Sequence, residues 1–332
     1  MEPNLTSEDL LKVEDLSVAF TTDEGQVIAL DQVGFEVKQG QTVGLVGESG
    51  CGKSVTAYSI MGLLPKPIGK VISGNISFQN ISLTGLPPEQ MRKIRGNQIG
   101  MIFQEPMNAL NPVQKIGTQL SEVFLIHQEM SDHQAWLGSI EMLDAVGIPS
   151  PENRVHEYPH QLSGGMRQRV VIAMALACQP KLIIADEPTT ALDVTVQAQI
   201  LDLLQNLQKK SGSSILLITH DLGVIAETCD EVCVMYAGRI VEKGSTKQIF
   251  TEPAHAYTQD LLASIPKLNG TAKTKLKTID GIVPSLLDLN NGCRFGPRSG
   301  RKHSADLLNQ RAEMTEVSTG HWVEACPVCT EL

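Results

Sequence analysis

Gly47-Glu48-Ser49-Gly50-Cys51-Gly52-Lys53-Ser54 has the spacing G-x-x-x-x-G-K-S. It follows a short apolar segment, Thr42–Val46, that reads as a strand, and it opens a helix at about Lys53. A glycine-rich turn in that context presents a nest of backbone N–H groups, and the helix N-terminus adds its positive end. The product is a phosphate cradle in which Lys53 reaches the terminal phosphates and Ser54 holds Mg²⁺. Nucleotide binding is the first expectation.

The flanking sequence predicts an α/β fold. Leu11 to Val37 reads as strand, turn, strand, with the polar turn at Thr21–Gln26. Further strands are expected at Asn75–Gln79, just after Gly74, and at Ile99–Phe103. Residues 113–146 are largely helix-compatible, with Ala135, Leu137, Ile140, Leu143 and Val146 near a helical period. Asp193 is a good N-cap for a helix whose stripe is Val196, Ile200, Leu203, Leu204 and Leu207, ending by Gly212. Two short apolar runs, Leu182–Ala185 and Ile215–Ile218, flank that helix and read as buried parallel strands.

At the end of the first of these runs stand Asp186 and Glu187. An acidic residue beside a phosphate loop holds the Mg²⁺ hydration shell, which suits Asp186. Glu187, the next residue, is placed to accept a proton from attacking water. His220 closely follows the second run, at the C-terminal edge where open α/β sheets bind ligands, and suits a γ-phosphate contact. Gln104 follows the strand at 99–103; its carbonyl can join the Mg²⁺ shell and its amide can position water, although sequence chemistry alone does not separate it from an ordinary surface glutamine. Leu162-Ser163-Gly164-Gly165-Met166-Arg167-Gln168 opens an apolar helix that Ser163 can cap, with two glycines leaving N–H groups exposed to an anion. One nucleotide needs one phosphate loop, so a second anion site points to action across a subunit interface.

The composition bounds the alternatives. The 332 residues carry 27 Lys+Arg against 37 Asp+Glu, a net charge of -10, which weighs against a constitutive nucleic-acid binder. The acidic N-terminus does not read as a signal peptide, and no window approaches the length of apolar chain needed to span a bilayer. A soluble cytoplasmic protein is expected, and if it works at a membrane it needs a partner that spans it. Seven cysteines in a chain this long make a disulfide framework a poor reading. The lysine-, threonine- and asparagine-rich stretch 266–277 reads as a linker, after which periodicity is weak.

Taken together, Gly47–Ser54, Gln104, Leu162–Gln168, Leu182–Glu187, Ala191-Leu192-Asp193 and His220 resemble the Walker A, Q-loop, signature, Walker B, D-loop and switch-histidine motifs of ABC-type ATPases. The resemblance covers roughly residues 10–265 and sets Phe20 at the aromatic position that stacks on adenine. Gln104–Pro112, Tyr158–Gln161, Phe250–Thr258, and Val283-Pro284 with Gly292–Phe295 are similar to the oligopeptide/dipeptide/nickel importer subfamily. The fold it implies is a P-loop ABC-type ATPase domain over 1–265. That domain has a mixed sheet core, N-terminal antiparallel strands and a helical subdomain at about 105–178. A small C-terminal accessory region follows at 266–332. The resemblance further implies two ATPase domains, same or homologous chains, paired head to tail. ATP and Mg²⁺ would be held by Gly47, Glu48, Ser49, Gly50, Cys51, Gly52, Lys53 and Ser54 of one domain and completed by Ser163, Gly164 and Gly165 of the other. Asp193 would lie at the interface, with Glu187 as general base, His220 as γ-phosphate sensor, and Ser54, Gln104 and Asp186 around the metal. Two transmembrane permease subunits would be the direct partners, on the inner face of the cell membrane. An extracytoplasmic binding protein would deliver the solute, a peptide or alternatively nickel or another small solute. An ABC ATPase acting on nucleic acid or ribosomes is the less favoured alternative.

The tail departs from the subfamily. Related peptide-importer ATPases can carry four cysteines there for an iron–sulfur cluster. Here Cys293 matches the first position, but Ser299 and Asp306 stand at the second and third, with Cys326 near the fourth and Cys329 three residues on. Loss of the cluster is expected; zinc on Cys293, Cys326, Cys329 and a histidine such as His303 is the alternative. Cys51, close to a helix N-terminus, has the setting that lowers a thiol pKa.

Overall fold

The computed structural model describes residues 9–104, 109–190, 192–265, 278–289, 291–301 and 311–330. The linker stretch 266–277, His303 and Asp306 lie outside them. The chain divides into two compact units. One consists of Leu11–Glu36, Thr42–Thr84 and Thr219–Leu332; the other contains Val37–Gln41 and Gly85–Ile218.

In the first unit, β1 (Asp9–Thr22) and β2 (Gly25–Lys38) turn at Asp23-Glu24. Their alternating apolar residues, among them Leu16, Val18, Val33, Phe35 and Val37, are fully or almost fully buried. The next strand, β3 (Thr42–Val46), is buried along its whole length and leads into the glycine-rich loop. β4 (Gly69–Phe78) then pairs antiparallel with β1, Val13 opposite Ile76 and Phe20 opposite Gly69, and β5 (Ile81–Ser82) closes the edge of a four-stranded sheet ordered β2-β1-β4-β5. β4 therefore starts six residues before the expected strand. Gly74 lies inside it because the ladder slips there: Gly74 has φ 87°, and a Cβ on it would fall 2.4 Å from the Asp15 carbonyl oxygen.

The second unit contains β6 (Ile99–Ile102), β7 (Leu182–Asp186) and β8 (Ser214–Ile218). They pair in parallel, with Ile99 opposite Leu182 and Leu182 opposite Ser214. All three are buried end to end, which is why they read as unbroken apolar runs. The helix between β7 and β8, Val194–Ser211, begins at Asp193, whose carboxylate accepts from the Val196 N–H at 3.0 Å. It stops at Gly212, whose φ of 67° suits a glycine C-cap. Helices Ile116–His127, Asp132–Ala145 and Gly164–Leu176 pack on one another. The Ser121 and Ser139 hydroxyls meet between the first two at 2.9 Å. Ala135, Leu143 and Val146 are buried as their spacing predicts, whereas Leu137 is exposed on the opposite face.

The chain then returns to the first unit. β9 (Glu231–Tyr236) pairs in parallel with β3 and antiparallel with β10 (Arg239–Ser245). The tail adds the hairpin β11 (Met314–Ser318) and β12 (His321–Glu324), with Val323 opposite Glu242 of β10. His321 Nε2 meets the Glu242 carboxylate at 2.7 Å.

A candidate nucleotide site

The loop between β3 and the helix Lys53–Ile60 is held open by backbone conformation. Gly47, Gly50 and Gly52 have φ of 153°, 80° and 108°. A Cβ at Gly47 would collide with the Met235 carbonyl oxygen, and one at Gly52 would sit 2.7 Å from Leu30 Cδ2. Side chains are excluded from both positions, so the backbone N–H groups keep the concave face. Lys53 is almost fully buried and its Nζ donates to the carbonyl oxygens of Gly47 (2.8 Å) and Glu48 (3.1 Å). The ammonium is thereby held against the glycine-rich loop, positioned as a phosphate contact requires. Ser54 is the second helical residue. Phe20, at the end of β1, is half-buried rather than part of the core, and its ring lies against Gly69. His220 is exposed immediately beyond β8, and the next residue but one begins the helix Leu222–Thr228.

Cys51 corrects an expectation. Its thiol is wholly buried, and burial pushes its pKa up, outweighing the nearby Lys53 charge. The thiol packs beside Gly47 under the loop. It is therefore not the activated thiol that a helix N-terminus suggests.

In the other unit, Asp186 is fully buried as the last residue of β7. Glu187 follows with φ 46°, a left-handed conformation uncommon for glutamate. Its N–H donates to the Ile218 carbonyl at 2.8 Å, fixing the turn. The carboxylate is oriented through Oε2, which accepts from Gln104 Nε2 and from Thr190 Oγ1, each at 2.9 Å. The structure thus joins Gln104 to Glu187, two residues that sequence chemistry left 83 positions apart. Thr190 was not anticipated. An oriented, half-buried carboxylate at the end of a central strand can serve as a base for water.

Ser163 caps the helix Gly164–Leu176, its hydroxyl accepting from Met166 N–H at 3.3 Å. Gly164 faces open space, while a Cβ on Gly165 would come 2.9 Å from Val196 Cγ1. Gly165 therefore lets the start of this helix approach the helix that Asp193 caps. Gln168, buried one turn on, donates to the Pro188 carbonyl at 2.6 Å and ties this helix to the turn carrying Glu187.

Two residues that sequence reasoning missed act on Glu48 directly, and a third, Tyr236, supports one of them. Arg298, from the C-terminal region, grips its carboxylate with both Nη atoms, at 2.7 and 3.2 Å. The remaining guanidinium N–H groups go to Tyr236 Oη, Asp280 O and Gly281 O, so all five donors are used. Tyr257 Oη accepts from the Glu48 N–H at 2.9 Å. Tyr236, Tyr257 and Phe295 form an aromatic triangle beneath these groups, with ring centroids 4.7 to 5.3 Å apart. A tail residue thus neutralises an acidic side chain of the phosphate loop. Separation of 250 positions left no local signal for this contact.

Comparison with known proteins identifies the family. Residues 30–190 match the ABC transporter family, and residues 241–305 match the oligopeptide/dipeptide transporter C-terminal region. The oligopeptide transport ATP-binding protein OppD of Bacillus subtilis is 50% identical over 316 residues, covering 95% of this chain and 88% of that protein. The dipeptide transport ATP-binding protein DppD of the same organism is 53% identical, covering 88% and 87%. Among solved structures, a dimeric ATP-binding cassette in a post-hydrolysis state, bound to ADP and Pi, is similar with a TM-score of 0.64. It is 28% identical over 71% of this chain and 98% of its own. The chain belongs to the ABC transporter family, among the ATP-binding proteins of oligopeptide and dipeptide transporters.

Proposed function

We propose that this chain hydrolyses ATP at head-to-tail dimer interfaces and thereby powers peptide import through two membrane-spanning permease subunits. The ATPase domain is assigned to residues 1–265, with its helical subdomain at about 105–178, and the accessory region to 266–332. One domain supplies Gly47–Ser54, with Phe20 against adenine. The other supplies Ser163, Gly164, Gly165 and the Asp193 turn. Glu187 takes the proton from attacking water, held in orientation by Gln104 and Thr190. His220 senses the γ-phosphate. Mg²⁺ would be held by Ser54, Gln104 and Asp186, where it neutralises charge building on the phosphates. Hydrolysis releases the closed pair, and opening and closing bias the permease between two states.

The observation that carries this reading is the oriented Glu187 carboxylate at the end of a fully buried strand. The names of the relatives support peptides as the solute, and the family resemblance implies an extracytoplasmic binding protein as an indirect partner. Among the described residues no helix is long and apolar enough to cross a membrane. The proposed place of work is the inner face of the cell membrane, beneath the permease.

Light scattering of Glu187→Gln, alone and mixed with a second peptide-importer ATPase, tests the composite site. Mg-ATP should double the mass in at least one of the two samples, because shared nucleotide closes the interface. An unchanged mass in both contradicts the head-to-tail assignment.

A further inference from the structure

The C-terminal region contains a cluster that ATP hydrolysis does not use. Cys293, Cys326 and Cys329 are all buried, and their sulfurs lie within 4.8 Å of one another. The Cys293 and Cys329 sulfurs are 3.3 Å apart. Cys293 precedes the short helical turn Gly296–Arg298, and the other two close the chain after β12. The backbone is organised around these sulfurs. Gly296 N–H donates to Cys293 Sγ at 3.1 Å. Cys329 N–H and Thr330 N–H both donate to the Cys326 carbonyl, which fixes the Cys-x-x-Cys turn. An N–H donor to sulfur stabilises the thiolate form that a metal requires.

The spacing selects a single ion over a cluster. Zinc–sulfur bonds of about 2.3 Å in a tetrahedron set sulfurs about 3.8 Å apart. Three sulfurs mutually within 4.8 Å need only small shifts to reach that. In a [4Fe–4S] cube each thiolate binds a different iron, so its ligands stand farther apart. At the second cluster position Ser299 turns its hydroxyl to the Gly296 carbonyl at 2.7 Å and caps its own turn. The residues present do not fit the cluster that the subfamily implies.

One further buried group borders the set. His255 is completely buried, and its backbone bridges to Thr330 beside the Cys-x-x-Cys turn. Its Nδ1 accepts from Tyr257 N–H at 3.1 Å, so the neutral ring carries its proton on Nε2. That N–H has no hydrogen-bond partner among the described residues. In this tautomer the protonated Nε2 is not available as a metal ligand.

We propose that Cys293, Cys326 and Cys329 together bind one zinc ion, with a non-thiolate donor in the fourth position. Binding exchanges the thiol protons for the metal: Zn²⁺ plus three thiols gives a tris-thiolate complex and releases three protons to solvent. The assignment rests on the tail alone and stands or falls separately from the ATPase reading.

The test is anaerobic purification of the full chain after expression with added zinc, followed by zinc, iron, copper and acid-labile sulfide analysis. About one zinc per chain is expected, retained in Ser299→Ala and lost in Cys329→Ser. Because Cys329→Ser could fail to fold, the parent chain is also titrated with a chelator while melting temperature and thiol release are followed. Loss of zinc should lower the melting temperature and expose three thiols. Iron with stoichiometric sulfide, copper in place of zinc, or a chain that takes up no metal on zinc reconstitution overturns the proposal.

Discussion

Arg298→Ala isolates the contact between the C-terminal region and the phosphate loop. The variant deletes the bidentate pair to Glu48 and the guanidinium that sits 5.7 Å from the centre of the Tyr236 ring. Arg298 is nearly buried, but Glu48 is 29% exposed, so water recovers part of the loss. A fully buried pair broken on one side costs about 3 to 5 kcal/mol; this exposure brings the figure to about 2 kcal/mol of stability. A second effect is electrostatic. Glu48 belongs to the glycine-rich loop, and removing its partner leaves an uncompensated negative charge close to the proposed phosphate site. At an effective dielectric of about 20 and a separation of about 8 Å, one unit charge is worth about 2 kcal/mol, halved again by solvent at the exposed side. ATP should therefore bind about 5- to 10-fold more weakly. Arg298→Lys should recover only part of this, because an ammonium cannot form the fork. Calorimetric ATP titration and denaturant unfolding on the same preparations measure both effects. An Arg298→Ala chain with the parent's ATP affinity and unfolding midpoint refutes the reasoning and makes the loop self-sufficient.

Other expectations are more local. Lys53→Ala removes the ammonium held by the Gly47 and Glu48 carbonyls, and equilibrium titration should show nucleotide binding weakened at least 10-fold. Native thiol alkylation followed by peptide mass spectrometry should label Cys178 first, since it alone of the seven cysteines is not buried. Cys51 should stay unmodified until the chain unfolds, because burial both hides the sulfur and raises its pKa; early labelling of Cys51 would restore the activated-thiol reading.

Much of the site was legible because its chemistry is local. The Gly47–Ser54 spacing, the Asp193 cap and the two apolar runs each depend on residues a few positions apart, and each element appears where the sequence predicts it. The misses share a different cause. Gly74 reads as a strand boundary, yet its left-handed φ is what lets β4 continue past the slip opposite Asp15. The hairpin β11–β12 gains its place by pairing with β10, and its exposed outer strand shows little apolar alternation to announce it. Tyr257 stands within the Phe250–Thr258 run, but no spacing reveals that its hydroxyl receives the Glu48 N–H. Cys51 misled because proximity to a helix N-terminus is visible in sequence and burial is not.

The catalytic assignment of Glu187 rests on one carboxylate, oriented by Gln104 and Thr190. Turnover of Mg-ATP by Glu187→Gln, with ATP affinity measured on the same sample, tests it most directly. The amide keeps the shape and removes the base, so affinity should stay within about 3-fold of the parent while hydrolysis slows by about 10²- to 10⁴-fold. Hydrolysis at close to the parent rate, with ATP bound normally, would contradict the account.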